Sequence, residues 1–320
     1  MTLLWLFVLL GLLGWALAQA VVPLGISWLK HAPGPLQARP RRILLVCALP
    51  WLIPFTAILS MAALAAAKSR GWVHDHCVFH APGHPHFCFE HLPGMLLDQG
   101  QGHLLVAGTT LSIFALFLLR HWTGARRQSA RIAALTALSR GKGLLRVLDD
   151  VRPMAFATGG RAPHIYLSRG LLDALTPREQ RMVVAHEAAH LRQRDLTAGR
   201  LLETLLVLLP GPCADRLREL WRDATEMRAD EQVARRFGRT ETAELLLRLA
   251  RSIQPAPVAT AFGGGRLGLR IHALLQDAPS HRRRTPLFET MLASGLLALM
   301  IGAVAHHHTL ETLLGMLVRL

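Results

Sequence analysis

Four stretches of this chain are almost wholly apolar: about Leu3 to Leu29, Ile43 to Ala67, His103 to Leu119 and Pro286 to Ala305. A bilayer core about 30 Å thick needs roughly 20 apolar residues in a helix, so each stretch predicts a membrane span, the third at the short limit. Pro23, Pro50 and Pro54 predict kinks in the first two, which neighbouring helices or water accommodate in a membrane. The segment Leu196 to Leu209 is also apolar, but it is short and carries Arg200 and Glu203, so it predicts a core or interfacial helix. Between the third and fourth spans the pattern becomes that of a soluble domain.

Within that domain, Met154 to Thr158 and His164 to Ser168 are short β-prone runs joined by Gly159-Gly160-Arg161-Ala162-Pro163, which predicts a hairpin. Thr176 then suits a helix N-cap, Pro177 the first helical position, and Glu179 completes a capping box. This helix is expected to run to about Asp195, packing through Met182, Val183, Ala185, Ala189 and Leu191 and presenting Arg181, Arg192 and Arg194. A second helical stretch runs from about Ala214 and stops at Gly238.

Charge orients the spans. Lys30, Arg39, Arg41 and Arg42 lie in the first loop, Arg120, Arg126, Arg127 and Arg131 follow the third span, and Arg282, Arg283 and Arg284 precede the fourth. By the positive-inside rule these loops are cytoplasmic, and the loop from Lys68 to Gly102 and both termini face out. The expected organisation is three spans over 1–120 with the outward loop 68–102, a cytoplasmic domain over 121–285, a fourth span over 286–305 and an outward tail over 306–320. Ala16-Leu17-Ala18 and Ala18-Gln19-Ala20 mimic a signal-peptide cleavage site, but no basic n-region precedes them, and cleavage would leave the basic loop outside.

The chain carries a net charge of +15, and His121 to Thr285 contains 28 basic and 16 acidic residues. Direct nucleic-acid binding is not expected, since no nucleic-acid motif or aromatic stacking pattern accompanies the charge. Proximity to an anionic leaflet accounts for it better. The segment is long enough for one domain with its own core. Neither internal repeats nor long disordered tracts interrupt it; the stretch around Gln254-Pro255-Ala256-Pro257 and Gly263-Gly264-Gly265 is its most flexible part by composition.

The chemistry concentrates in His186-Glu187-Ala188-Ala189-His190, among 17 histidines in the chain. Two imidazoles at i and i+4 share a helix face, with a carboxylate between them, an arrangement suited to a zinc ion and the water it activates. A catalytic zinc needs a third protein ligand and an open position. Glu226 in Glu226-Met227-Arg228-Ala229-Asp230 fits, with Asp230 one turn on to accept a hydrogen bond from a ligand histidine. Pairing of both carboxylates with Arg222, Arg228 or Arg235 would explain the same residues; the upstream histidine pair favours the ligand reading. One Zn2+, held by His186, His190 and Glu226, with Glu187 as the catalytic acid and base, is the expected centre. His272 and Arg228 are candidates for an additional donor to the transition state. The predicted hairpin would offer a sheet edge to which an extended peptide could add.

These residues resemble the gluzincin metallopeptidases, in which a zinc helix is followed by a helix carrying Glu-x-x-x-Asp. The stretch "PHIYLSRGLLDALTPREQRMVVAHEAAHLRQRD" is similar to the BlaR/MecR-type signalling proteases, and "EMRAD" equally to the HtpX and CAAX-protease branch. Three spans, a soluble zinc segment and one further span match the BlaR/MecR order, whereas the HtpX branch places spans between its zinc helix and its third ligand. The first resemblance is therefore preferred, with the second as the alternative. It covers that order of spans and roughly Arg146 to Leu275, including "AFGGGRLGLRIHALL".

The resemblance implies a multi-pass α-helical protein of the bacterial inner membrane with a cytoplasmic, mainly α, zincin-like α+β domain. Its implied activity is zinc-dependent cleavage of a cytoplasmic or membrane protein, in signalling such as inactivation of a cytoplasmic transcriptional repressor, or in membrane-protein quality control. The β-lactam-sensing members carry a penicillin-binding domain after the fourth span; this sequence ends at Leu320, and Ser27-Trp28-Leu29-Lys30 matches that domain's short motif without a partner motif. From a different class, a non-catalytic signalling protein with a structural zinc would need a fourth ligand, for which the sequence offers no obvious candidate.

The outward loop has a chemistry of its own. It contains His74, His76, His80, His84, His86, His91 and His103, with Cys77 and Cys88. In an oxidising compartment the cysteines could close a short disulfide worth about 3 kcal/mol. The imidazoles suit zinc, copper or nickel, or equally a merely polar, pH-sensitive loop. His306, His307 and His308 are similarly ambiguous, and Cys47 and Cys213 read as packing residues.

Overall fold

A computed structural model describes residues 3–31, 39–72, 123–252 (without 125, 128, 129, 142 and 161), 267–276, 287–310 and 312–313, with isolated positions 112 and 119. The expected third span, the outward loop beyond residue 72 with Cys77 and Cys88, and the glycine run at 263–265 lie outside the described residues.

Two long helices form an antiparallel pair, α1 (Leu3–His31) and α2 (Arg39–Ser69). Both run through their prolines, Pro23 in α1 and Pro50 and Pro54 in α2. They approach closely at Gly14, where a Cβ would sit 2.8 Å from the Pro54 Cα. A small residue at the crossing lets the backbones meet, as in helix pairs packed inside bilayers. Within them Phe7–Lys30 and Arg39–Ser69 are long and apolar enough to cross a membrane. The last apolar stretch is also helical, over Leu287–Ala305, with a 17-residue apolar portion at Glu289–Ala305 that is short for a span. It packs along α2, with Ala303 against Leu10, Ala57, Met61 and Leu64.

The domain that follows is built on a small sheet of β1 (Ser139–Arg140), β2 (Leu145–Leu148), β3 (Ala155–Thr158) and β4 (His164–Ser168). The spatial order is β1-β2-β4-β3, with β2 parallel to β4 and the other pairs antiparallel. The β3–β4 hairpin is the one expected from the sequence, and it leaves β3 at an edge. The two extra strands lacked a sequence signal: β1 is two residues long, and Leu145-Arg146-Val147-Leu148 has too little alternation to mark a face. Central β4 is buried at Ile165, Tyr166 and Leu167, and the Tyr166 hydroxyl lies 2.9 Å from the Thr136 hydroxyl.

Helices α3 (Arg169–Ala174) and α4 (Pro177–Arg192) follow. The capping box at Thr176 and Glu179 forms as expected, fixing where α4 begins. Helix α4 ends earlier than the sequence pattern implied. Arg194 is left-handed, with φ 56°, and a new helix, α5 (Asp195–Leu205), starts at the next residue. A short 3-10 turn at Leu206–Leu208 leads into the long α6 (Gly211–Phe237), closed by Gly238 with φ 106°; α7 (Arg239–Ser252) and α8 (Leu267–Leu275) complete the domain before α9 (Leu287–Ala305).

Two cores hold these parts. Ala155, Ile165 and Leu167 of the sheet pack with Met182 and Val183 of α4, Val233 of α6, and Leu245 and Leu249 of α7. The other core joins α1 and α2 to the domain: Ala18, Val22, Ile26, Val46, Leu49 and Ile53 pack with Leu202, Leu206, Leu209, Leu217 and Trp221. The segment expected to be a core or interfacial helix thus lies against the two long apolar helices.

Candidate active site

Helix α4 turns Met182, Val183 and Ala189 into the core and brings His186 and Glu187 to a buried face toward the sheet edge and α6. His186 and His190 stand one turn apart with their Nε2 atoms 3.2 Å from each other. From α6, Glu226 places Oε2 3.3 Å from His186 Nε2 and Oε1 3.7 Å from His190 Nε2. Two nitrogens at about 2.05 Å from a tetrahedral zinc would be roughly 3.3 Å apart, so the spacing fits. Among the described residues, His186, His190 and Glu226 are the group able to hold a metal ion, with one ligand atom from each within 4.8 Å of the others.

The donor chemistry fits as well. His186 Nδ1 faces Asp230 Oδ1 at 3.2 Å, and His190 Nδ1 faces Asp195 Oδ2 at 2.9 Å. Each imidazole can donate its Nδ1 proton to a carboxylate, which leaves both Nε2 lone pairs converging on one point. Glu226 Oε2 is buried and accepts no hydrogen bond of good geometry, although His186 and Arg270 Nη1, the latter at 3.1 Å, lie near it. A buried carboxylate oxygen left open beside two imidazole lone pairs suits a cation.

Each supporting carboxylate is held by an arginine. Arg270 of α8 donates through Nε and Nη2 to Asp230, at 2.7 and 2.8 Å, and Arg228 of α6 pairs with Asp195. Asp230, expected beside His186 or His190, stands against His186. Asp195 and Arg270 were not anticipated. Arg270 lies 40 residues beyond Asp230 in sequence, so no local periodicity links them. Asp195 stands five residues after His190, about 140° around a continuous helix, and reaches it only because Arg194 breaks α4. Of the two candidate donors, Arg228 pairs with Asp195 and His272 is exposed beside Gln276. Of the rival partners of Glu226 and Asp230, Arg228 pairs with Asp195 and Arg235 with Glu231.

Glu187 is 5 % exposed, and the backbone N–H of Ala157 on β3 faces its carboxylate. Burial pushes its carboxyl above the ordinary range, against the pull of His186 and His190, and Glu226 adds to the rise. For His186 burial acts downward, but the carboxylates of Asp230 and Glu226 prevail and hold it up at about 10. Burial would raise Asp230; the hydrogen bonds from His186 and Arg270 instead bring it down to about 2.

A sign follows from these shifts. The raised His186 contributes stability to the metal-free protein that is complete below about 6.5 and is lost as pH rises through about 10. Depression of Asp230, the same pair seen from its other side, contributes stability present above 3.8 and lost as pH falls through about 2. Zinc added to the metal-free protein at pH 7 in weak buffer is therefore expected to displace about one proton from His186. Titration with a pH indicator reads this directly; zinc uptake without proton release would contradict the assigned pairing.

Residues 123–285, just over half of the chain, match Peptidase family M48, and the chain belongs to that family. Similar curated proteins are each described as a protease HtpX homolog: one from Ralstonia nicotianae is 39 % identical over 61 residues, and one from Ralstonia pickettii is 38 % identical over 61 residues. Another, from Burkholderia thailandensis, is likewise 38 % identical over 61 residues. In each case the match covers 18 % of this chain and 21 % of the relative, so the chain aligns with only about a fifth of those proteins. No solved structure matches. The HtpX branch, the alternative of the two sequence resemblances, is the one these relatives support; a BlaR/MecR relationship is not among them.

Proposed function

We propose that the protein is a zinc endopeptidase of the bacterial inner membrane, with α1 and α2 as spans and its catalytic domain at the cytoplasmic face. The observation that carries the reading is the convergence of His186, His190 and Glu226 beside buried Glu187, with a carboxylate behind each imidazole. His186, His190 and Glu226 would hold the ion, Asp230 and Asp195 would fix the histidine tautomers, and Arg270 and Arg228 would fix those carboxylates. When bound, zinc supplies Lewis acidity to a water and to the scissile carbonyl.

The remaining work falls to the chain. Glu187 takes the proton of the attacking water and returns it to the leaving amine; a carboxyl raised by burial suits both transfers near neutral pH. Strand β3 offers the substrate an edge. Ser168 N–H donates to Met154 O at 2.9 Å, so the alternation of the ladder leaves the main-chain groups of Ala155 and Ala157 facing away from β4. The Ala157 N–H faces Glu187, and the other outward groups are placed to pair with an extended peptide running past the base.

Cleavage of membrane proteins in quality control is our first reading of the role, because the relatives are protease HtpX homologs and the domain packs directly on α1 and α2. Regulated cleavage of a cytoplasmic repressor is the alternative. Comparing cleaved proteins between wild-type and Glu187→Gln cells separates them. For the activity itself, stripping metal with a chelator is expected to abolish cleavage, and stoichiometric zinc to restore it. Glu226→Gln should bind zinc weakly and remain inactive. Full cleavage by chelated, metal-free protein would end the proposal.

A further inference from the structure

The α5–α6 hairpin ends in a tip, Leu205 to Pro212, that is apolar on its outside and has two of its carbonyls, those of Leu205 and Leu208, bonded by the two long helices. Trp15 Nε1 and Gln19 Nε2 of α1 both donate to Leu208 O, each at 3.1 Å, and Trp51 Nε1 of α2 donates to Leu205 O at 3.1 Å. Carbonyls at a helix end normally bond to water and need no such help. Inside a hydrocarbon layer each would be costly unless a protein group served it. Pro210 and Pro212 lack the N–H groups that would otherwise be left over where α6 begins. Outward, Leu201 and Val207 are 50 % and 57 % exposed, and they continue the apolar surface on which Trp15 and Trp51 are also exposed.

We infer that this hairpin tip enters the inner leaflet beside α1 and α2, with its outer residues among lipid acyl chains, so that the catalytic domain is partly sunk into the membrane. The inference rests on the reading that α1 and α2 span the bilayer. Two measures place the tip below the surface of the layer. A 30 Å hydrocarbon layer takes about 20 residues of helix, so a span beginning between Leu3 and Phe7 leaves the layer between Pro23 and Ser27, and Trp15 and Gln19 lie about 6 to 18 Å inside it. On the hairpin, Glu203 is bound by Arg218, which also pairs with Asp215, and this charged group marks the water boundary. Val207 stands four residues beyond Glu203, about 6 Å deeper, within the 5–10 Å typical of interfacial insertion. The other end of α5 is Asp195, so the element in contact with lipid also orients His190.

Nitroxide labels on the full chain in lipid nanodiscs test this, on a background in which Cys47, Cys77, Cys88 and Cys213 are replaced by alanine and zinc content is checked. Labels go at Val207→Cys, at Phe55→Cys on the exposed apolar face of α2, and at Glu241→Cys on the exposed surface of α7. Val207 is expected to match Phe55, with strong relaxation by oxygen and loss of relaxation by a water-soluble nickel chelate, while Glu241 shows the reverse. If Val207 behaves like Glu241 while Phe55 remains lipid-exposed, the hairpin inference is overturned and the spanning reading stands. If Phe55 itself meets the chelate, the spanning reading fails and takes the hairpin with it.

Discussion

Replacing Glu187 by glutamine is expected to lower turnover about 1000-fold while leaving metal content unchanged. The side chain contributes no ligand atom to the His186, His190 and Glu226 group, so the amide should not disturb binding of the ion. Its amide oxygen can still face the Ala157 N–H, and the apolar packing of β3 on α4 is untouched. What glutamine cannot do is take a proton from water and return it to the leaving amine. Single-turnover cleavage by the purified variant, with zinc measured on the same sample, checks this. Loss of both zinc and activity would assign Glu187 a structural part instead, and cleavage within tenfold of wild type would remove it from the mechanism.

Arg270→Ala carries the second large effect and was not foreseen from the sequence. The guanidinium is buried, grips Asp230 with two hydrogen bonds and lies 3.1 Å from Glu226 Oε2. Without it, buried Asp230 and partly buried Glu226 keep only the raised His186 between them as a cation. Removing one partner of a buried ion pair costs about 3–5 kcal/mol when the charge left behind is uncompensated, and His186 offsets part of that cost in the metal-free protein. Asp230 would also lose its fixed orientation toward His186, and such supporting contacts are worth roughly 10–100-fold in metal affinity. Thermal unfolding of the metal-free variant and zinc competition with a chelating dye read the two parts separately. Arg270→Lys, which keeps the charge but loses the two-pronged grip, should fall between them. Wild-type zinc affinity in Arg270→Ala would show that Asp230 orients His186 unaided.

Much of the site was legible before any fold was known, and the reason is local. His186, Glu187 and His190 are set by helical spacing, the start of α4 by Thr176, Pro177 and Glu179, and the relation of Glu226 to Asp230 by one turn of α6. The β3–β4 hairpin announced itself by β-prone runs around Gly159 and Gly160. Each of these is a relation between residues a few positions apart, where the geometry of a single element fixes the outcome.

The contacts that complete the centre are of another kind. Sequence by itself determined the histidine face of α4, the candidate base, the apolar stretches and the edge hairpin, since periodicity and capping act within one element. Only the tertiary structure decided that Arg270 closes on Asp230, that Arg228 pairs with Asp195, and that the tip of the α5–α6 hairpin rests on Trp15, Gln19 and Trp51. Asp195 shows the difference most directly. A continuous α4 would carry it away from His190, and the left-handed turn at Arg194, where α4 gives way to α5, brings it back.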